Sequence, residues 1–255
     1  MGTPGKGRWR ARARPLVAAL VCVAALEFAC RAGWVHPTTL VPPTRMIRAM
    51  LGALSDGETL ADFGLTLWVV AAATALAAAL GIAAGLVLHA LPRVRRALEP
   101  FIASYYALPL FALYPVFVVL LGVGARPIVA TGVIYAAMSV VVVTLAGLDR
   151  IPNVLRKVAK VQRLGTIETI VRVLVPACAP QILGGLTLSV GYAFVAVIAS
   201  EFLLASRGIG HAIADAYNTF QTERMYGLVL ALAILVVLID AGMRRVRAGI
   251  RGAAA

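Results

Sequence analysis

Long stretches without charged residues are the feature that most restricts how this sequence can fold. Four such stretches are 63–90, 101–123, 128–148 and 173–200, and a fifth apolar run, 225–243, carries only Asp240 near its end. Each of these reaches or approaches the roughly 20 residues that a helix needs to cross a bilayer. A less clean apolar run covers 15–33, and 61% of all residues are hydrophobic. Because a helix satisfies its own backbone hydrogen bonds in lipid, the sequence predicts an all-α transmembrane protein with six spanning helices.

Basic residues indicate how these spans are oriented. Six spans place both termini on one side of the membrane. Of the 24 Lys and Arg residues, 18 lie in the segments on that side, which are 1–14, 91–100, 149–176 and 244–255. Loops rich in Lys and Arg stay in the cytoplasm, so the termini, the turn expected at 91–100 and the loop 149–176 are predicted to be cytoplasmic. The segment 34–62 is then periplasmic, and 63–243 forms a core with five spans. The net charge of +13 reflects this topology, and no nucleic-acid partner is expected.

The first apolar run, 15–33, has two interpretations. A basic start followed by an apolar centre is typical of a signal peptide as well as of a retained span. Glu27 within the run, and the lack of a clean small-residue cleavage pattern, favour a retained first transmembrane helix. An ionised carboxylate in lipid is costly, so Glu27 is either a proton or substrate contact or a structural residue, in polar contact with another helix or near the outer headgroups.

Gly81 and Gly85 lie four residues apart in the span 63–90. Glycines at this spacing let another helix approach closely. The pair therefore indicates a helix contact.

The loop 149–176 contains a helical pattern. Its apolar residues recur at intervals of three and four, with basic residues between them, and they are Val154, Leu155, Val158, Val161 and Leu164. Gly165 follows as the expected helix stop. A basic amphipathic helix can rest on anionic membrane lipid or dock onto a protein, and the pattern alone leaves both open.

Two prolines interrupt the third predicted span, 101–123. Pro109 and Pro115 each remove a backbone hydrogen bond and are expected to kink a helix. Freed carbonyl groups are tolerated in a membrane where protein or a water-filled cavity covers them. With Tyr105 and Tyr114 nearby, the segment is either a structural kink or a wall of a solute pathway.

The sequence has no recognisable catalytic arrangement. It lacks H-E-x-x-H, G-x-S-x-G, C-x-x-C and a phosphate-binding loop, so neither an enzymatic site nor a cofactor is expected. A transporter driven by an ion gradient, or a channel, is an alternative to one driven by a partner. That alternative would call for more buried ionisable residues than Glu27. An intramembrane enzyme lacks a visible nucleophile and base.

Several stretches resemble, in the same order, inner-membrane permeases of ATP-binding-cassette importers, and more narrowly the nitrate, sulfonate and taurine type. These stretches are V-P-P-T at 41–44, D-G-E-T-L-A-D-F-G-L-T-L at 56–67, A-L-P-L-F-A-L-Y-P-V-F-V-V-L-L-G-V-G at 107–124 and A-S-E-F-L-L-A-S-R-G-I-G-H-A-I at 199–213. The resemblance implies a type I importer permease fold in the bacterial inner membrane. It also implies that the loop forms a coupling helix on a separate ATP-hydrolysing subunit.

The resemblance further implies partners and site residues. The family's loop pattern of Glu-Ala-Ala, three residues, Gly and a later Leu-Pro falls on Ala159 onward, without the leading glutamate. Two ATPase subunits, a second and identical permease chain, a periplasmic binding protein and a small anion such as nitrate, a sulfonate or taurine are expected. Contacts with the ATPase are expected at Val158, Ala159, Lys160, Val161, Gly165 and Thr166, and pathway residues at Tyr105, Pro109, Tyr114 and Glu201.

Overall fold

The computed structural model describes residues 6–34, 36 and 39–253, and within these residues the chain is helical with no β-strand. The α-helices are numbered in chain order. They are α1 Lys6–Arg31, α2 Pro43–Leu54, α3 Gly57–Ala90, α4 Pro92–Ser104, α5 Tyr114–Leu121, α6 Ala125–Asp149, α7 Asn153–Val161, α8 Thr166–Thr169, α9 Val175–Leu204, α10 Ile209–Asn218 and α11 Thr222–Ala253. Two 3-10 turns, Tyr105–Ala107 and Leu110–Leu113, lie between α4 and α5, and a π-helical segment, Ile170–Leu174, leads into α9.

The chain divides into two compact units. The first contains α1, α2 and the segment Ala212–Ile234, and the second contains Ala61–His211 together with the end of α11 from Leu235. Each unit is described by itself.

The core of the second unit is formed by α3, α6 and α9. Its buried side chains are mostly small, among them Val69, Ala73, Ala136, Ala193 and Val197. Hydrocarbon solvates a leucine as well as another helix does, so helices in lipid are held by close van der Waals packing between small residues. A Cβ atom added to Gly81 would lie 2.6 Å from the Val140 Cβ, and one added to Gly85 would lie 2.8 Å from the Thr144 Cβ. The predicted helix contact at these two glycines is confirmed, with α6 as the partner.

This close approach predicts that Gly81→Ala destabilises the detergent-solubilised protein by about 1–3 kcal/mol, because the new methyl group must displace Val140 or the Ala137 carbonyl. The measurement is the midpoint of unfolding as sodium dodecyl sulfate is added to mixed micelles. Gly64→Ala is the matched control, because it lies on the same helix and its added Cβ would meet no atom within 4 Å. Equal losses for the two variants would contradict the packing argument.

Four of the described helices are long and apolar enough to cross a membrane: Gly57–Ala90, Ala125–Asp149, Ile170–Leu204 and Thr222–Gly249. They correspond to the second, fourth, fifth and sixth predicted spans. The first predicted span, 15–33, falls largely within α1, and the third, 101–123, is interrupted. The prediction of an all-α fold is confirmed, whereas the count of six spans is supported for four helices only.

The third predicted span is not one kinked helix. It is divided among the end of α4, the two 3-10 turns and α5, which has only eight residues. Leu108 is extended, with φ −84° and ψ 129°, because a residue that precedes a proline is pushed out of the α conformation. Pro109 therefore separates two helices and does not bend a continuous one.

Two further local predictions are wrong, and proline explains both. Pro115 lies in the first turn of α5, where its missing N–H has no intrahelical partner to lose, so it begins a helix and does not kink one. The segment 91–100, expected as a turn, is helical. Pro92 occupies the first turn of α4 in the same way, and Pro100 is accommodated inside that helix.

Glu27 makes polar contacts within the first unit. Its carboxylate accepts hydrogen bonds from the Thr44 hydroxyl at 2.8 Å and from the Thr44 N–H at 3.0 Å, and it pairs with Arg31 at 2.6 Å. Thr44 lies in the first turn of α2, where backbone N–H groups lack intrahelical acceptors and a negative charge is favoured. Of the two interpretations of Glu27, the geometry supports a polar contact between helices.

Candidate functional site

The short helix α7 exposes an apolar stripe. Val154, Val158 and Val161 are spaced by four and three residues, so they share one face of the helix. All three are exposed, Val161 to 82%, whereas Ala159 is buried at 2% on another face. A row of exposed valines on one helix face marks a surface that another molecule can cover.

The end of α7 differs from the prediction. Arg163 has a left-handed backbone with φ +51°, and the Leu164 N–H donates to the Ala159 carbonyl at 3.1 Å. This bond pattern is the Schellman motif, with arginine at the position that glycine usually occupies. Gly165 therefore does not end the helix. Instead it precedes α8, and its N–H donates to the Glu168 carboxylate at 3.3 Å, as in a capping box.

The six residues predicted to contact an ATPase subunit lie close together in the chain. Val158, Ala159, Lys160 and Val161 form the last part of α7, Gly165 lies between the helices, and Thr166 begins α8. Their side chains do not all face outward, because Ala159 is buried. Their role in coupling stays a prediction.

The loop is anchored to the membrane helices at both ends. Ile151, just before α7, is buried with Leu148, Cys178 and Ile182 from α6 and α9. After α8 the chain continues without a break through the π-helical segment Ile170–Leu174 into α9. A force applied to α7 would therefore reach α6 and α9 directly.

Asp149 ties three helices together beside this loop. It is the last residue of α6, and Arg95 from α4 donates to both of its carboxylate oxygens, at 2.9 and 2.7 Å. His89 Nδ1, near the end of α3, lies 3.4 Å from the same carboxylate. Such two-pronged arginine pairs fix orientation as well as charge. The cluster holds the ends of α3, α4 and α6 together four residues before α7 begins.

A double-mutant cycle tests this pair. Arg95→Ala and Asp149→Ala are expected to interact by about 1 kcal/mol, because the two-pronged geometry is good but both side chains are partly exposed. The measurement is again the midpoint of unfolding in mixed micelles. A second cycle that pairs Arg96→Ala with Asp149→Ala is the control and should be additive. Additive effects in the first cycle as well would contradict the proposed tie.

A second polar cluster surrounds Glu201 in the last turn of α9. Glu201 is fully buried, with 0% exposure. Both of its carboxylate oxygens lie 2.9 Å from the Thr66 hydroxyl of α3, and the Gly210 N–H donates to one of them at 3.0 Å. The Thr66 oxygen in turn accepts from the Ile209 N–H at 3.0 Å. One carboxylate and one hydroxyl thus connect α3, α9 and the first residues of α10.

Asp62 extends this cluster toward the surface. Its carboxylate accepts from the Gly208 N–H at 3.1 Å and lies 3.6 Å from the Arg207 guanidinium. Gly208 has φ +107°, and an added Cβ would lie 2.5 Å from a carboxylate oxygen of Glu201, so only glycine fits. The stretch S-R-G-I-G therefore wraps around the buried carboxylate.

The predicted pathway residues do not share one exposed surface. The Tyr105 hydroxyl donates to the Ile134 carbonyl, and Pro109 is exposed between the two 3-10 turns. Tyr114 and Glu201 are buried inside the chain.

An open groove of about 550 Å³ runs beside Ile134, and Arg126 is the one charged residue among those that line it. The lining residues are Trp68, Ala72, Leu76, Ala125, Arg126, Val129, Ala130, Val133 and Ile134.

The stretch that begins D-G-E-T forms a helix cap. The carboxylate of Asp56 accepts from the Thr59 hydroxyl at 2.8 Å and from the Glu58 and Thr59 N–H groups at 3.3 and 3.4 Å, at the start of α3. The hydroxyl bond from Thr59 is the main reason that the pKa of Asp56 lies below its usual value, and the backbone bonds add to it.

Sequence reasoning identified Glu201 but missed its partners. Asp62 and Thr66 are four residues apart, so they lie on one face of α3, and this spacing was a usable signal. Arg95 and Asp149 are 54 residues apart, and no local pattern links them.

Comparison with known proteins identifies the family. Residues 77–252 match the family described as binding-protein-dependent transport system inner membrane component, and the chain belongs to this family. It is a permease subunit of a binding-protein-dependent importer of the ATP-binding-cassette class. The predicted resemblance is confirmed.

Several curated proteins are similar along most of their length. The nitrate import permease protein NrtB of Synechococcus elongatus is 29% identical over 200 residues, which cover 77% of this chain and 72% of that protein. The taurine transport system permease protein TauC of Escherichia coli is 28% identical, with 82% and 78% covered. The putative aliphatic sulfonates transport permease protein SsuC of Bacillus subtilis is 26% identical, with 83% and 77% covered.

A solved structure supports the fold. A chain from an inward-facing structure of the MetNI methionine ABC transporter superposes with a TM-score of 0.67 over 75% of this chain and 95% of that one. The sequence identity is 16%, so this likeness concerns the fold alone. It agrees with the type I importer permease fold expected from the sequence.

Proposed function

We propose that two copies of this chain form the membrane pathway of an importer for a small anion of the nitrate, sulfonate or taurine kind. Two ATP-hydrolysing subunits bind at the cytoplasmic face, and a periplasmic binding protein delivers the solute. The similarity to nitrate, sulfonate and taurine permeases supports this class of solute. Membership of the importer family decides against the alternative of a transporter or channel driven by an ion gradient.

The distribution of basic residues supports the orientation in this proposal. The termini, 1–14 and 244–255, and the loop 149–176 lie in the cytoplasm, and 34–62 lies in the periplasm. The segment 15–33 is the first transmembrane helix. Lys and Arg on the cytoplasmic side also favour contact with anionic membrane lipid.

The exposed valine face of α7 is the observation that carries the proposal. The chain has no ATP-binding motif of its own, so work must reach it from another subunit. Val158 and Val161 lie exposed on a short helix that is anchored to α6 and α9. Docking of this face onto the ATPase subunit would cover the valines and transmit its motion to the membrane helices. Lys160, Gly165 and Thr166 are proposed to contribute to the same contact. Ala159 is buried, and it is proposed to pack α7 against the rest of this chain.

A charge on this face should disrupt docking. Val158→Asp is expected to weaken retention of the cognate ATPase subunit at least about tenfold, because a carboxylate would be buried in an apolar contact. The measurement is the amount of ATPase subunit that co-purifies with the tagged chain over a range of concentrations, together with ATP-driven uptake in proteoliposomes.

Val94→Asp is the matched control for this experiment. Val94 is exposed to 44%, against 43% for Val158, but it lies on α4. We expect Val94→Asp to retain the ATPase subunit as the wild type does. If both variants retain it equally, the docking face is not on α7.

The interrupted third span is proposed to form a wall of the solute pathway. Tyr105 and Pro109 lie in the segment where the α-helix is broken, and the Tyr105 hydroxyl donates to the carbonyl of Ile134, which lines the groove. Tyr114 and Glu201 are buried, so they would contact a solute only when the packed helices separate. Arg126 gives the groove a positive charge, which suits an anion.

This assignment predicts that Arg126→Gln reduces the uptake rate about fivefold, which corresponds to about 1 kcal/mol for an exposed charge. Uptake of radiolabelled nitrate, ethanesulfonate and taurine is measured in proteoliposomes with the cognate ATPase and binding protein. Arg126→Lys keeps the charge and should retain most of the activity. Equal uptake by the wild type and Arg126→Gln would remove Arg126 from the pathway.

A further inference from the structure

The turn between α9 and α10 is held by the buried carboxyl group of Glu201, beside which the described part of the chain places no cation. Among the described residues Glu201 forms no ion pair, and its carboxylate is stabilised by the Thr66 hydroxyl and the Gly210 N–H. A buried carboxylate that loses a hydrogen-bond donor is left with an uncompensated desolvation cost. If the turn moved away from α3, the Glu201 carboxylate would either become exposed to solvent or stay buried without its hydrogen-bond donors.

Steric fit adds a second constraint on the same turn. The backbone at Gly208 and Gly210 approaches Glu201 so closely that an added Cβ would lie 2.5 Å from its Oε1 in one case and 2.7 Å from its Cβ in the other. Hydrogen bonds and close packing thus specify the same backbone path. A network in which each member satisfies another is typical of a rigid element.

The outer side of the turn is open to a partner. The side chain of Arg207 is exposed to 63%, whereas its ion-pair partner, Asp62 of α3, is exposed to only 11%. Surface turns are usually mobile because few groups hold them. Here the N–H groups of Gly208, Ile209 and Gly210 are all bonded to side chains, while Arg207 remains accessible.

We propose that Glu201 and Thr66 are positioning residues that keep the turn 205–210 preformed for the periplasmic binding protein. The inference rests on the proposed function, in which that protein docks at the periplasmic face. The turn lies at that face because it follows the end of α9 that is opposite the cytoplasmic loop 149–176. A docking element that is already ordered binds more tightly, because no ordering cost is taken from the binding energy. Glu201 in this role acts through the backbone of the turn, and the role is separate from the solute contact proposed for Glu201 when the packed helices separate.

Two variants at Thr66 separate the hydroxyl from the shape of the side chain. Thr66→Val has nearly the same shape but leaves the Glu201 carboxylate and the Ile209 N–H without their shared partner. Thr66→Ser keeps the hydroxyl. The importer is reconstituted with its ATPase, and ATP hydrolysis is measured against the concentration of solute-loaded binding protein. For Thr66→Val, the concentration for half-maximal stimulation is expected to rise about tenfold, with unchanged basal and maximal rates. Thr66→Ser should stay within about twofold of the wild type.

Hydrogen exchange of the wild-type importer is an independent test that needs no variant. Without binding protein, the amides of Gly208, Ile209 and Gly210 are expected to exchange slowly, and adding binding protein should change their rates little. Fast exchange that slows on addition of the binding protein would show that the turn orders on docking and would overturn the inference.

The outcomes distinguish the inference from the proposed function. If Thr66→Val shows the half-maximal concentration of the wild type, or loses only basal and maximal rates, the positioning role is wrong. If the wild-type complex is not stimulated by any binding protein that carries nitrate, a sulfonate or taurine, the proposed function fails instead, and slow exchange in the turn would still be observed.

Discussion

Close packing of α3, α6 and α9 through small side chains is the constraint on which the rest of the structure depends. In hydrocarbon these helices gain little from hiding apolar surface, so their contact requires that backbones approach closely, as at Gly81 and Gly85. Polar clusters connect these helices to each other and to α4 and α10. Asp149 is the last residue of α6 and lies beside the loop that contains α7. Glu201 lies in the last turn of α9, beside the turn that leads to α10. A rigid block of helices with polar ties at both ends can carry a movement from one face of the membrane to the other.

Under the proposed function, the two kinds of exposed surface have different tasks. The valine face of α7 is apolar and is presented by a helix anchored at both ends, which suits a lasting contact with a motor subunit. The turn at Arg207 is polar outside and fixed inside, which suits repeated docking of a soluble partner. The broken segment around Pro109 lies between α4 and α5, where an irregular backbone needs cover from protein or water.

Features set by composition and local spacing were predictable from the sequence. Uncharged runs identified four membrane helices, the interval between Gly81 and Gly85 identified a helix contact, and valines interspersed with basic residues identified α7.

Predictions failed where two local signals compete. Gly165 was expected to end α7, but Arg163 takes the left-handed position two residues earlier, at a cost of about 1–2 kcal/mol. Pro115 was expected to bend a helix, but Pro109 had already ended the preceding one, so Pro115 became a favourable first-turn residue. The partners of Glu201 and Asp149 depend on helices that meet only in the folded chain, and no local pattern specifies them.

The central claim is that α7 lies in the cytoplasm and is covered by an ATP-hydrolysing subunit. Its most direct test is the accessibility of Val161→Cys to a membrane-impermeant maleimide, in a variant whose native cysteines, Cys22, Cys30 and Cys178, are replaced by alanine. The account predicts labelling in inverted vesicles that lack the ATPase subunit, strong protection when that subunit is bound, and no labelling in spheroplasts. Labelling in spheroplasts, or equal labelling of inverted vesicles with and without the ATPase subunit, would contradict it.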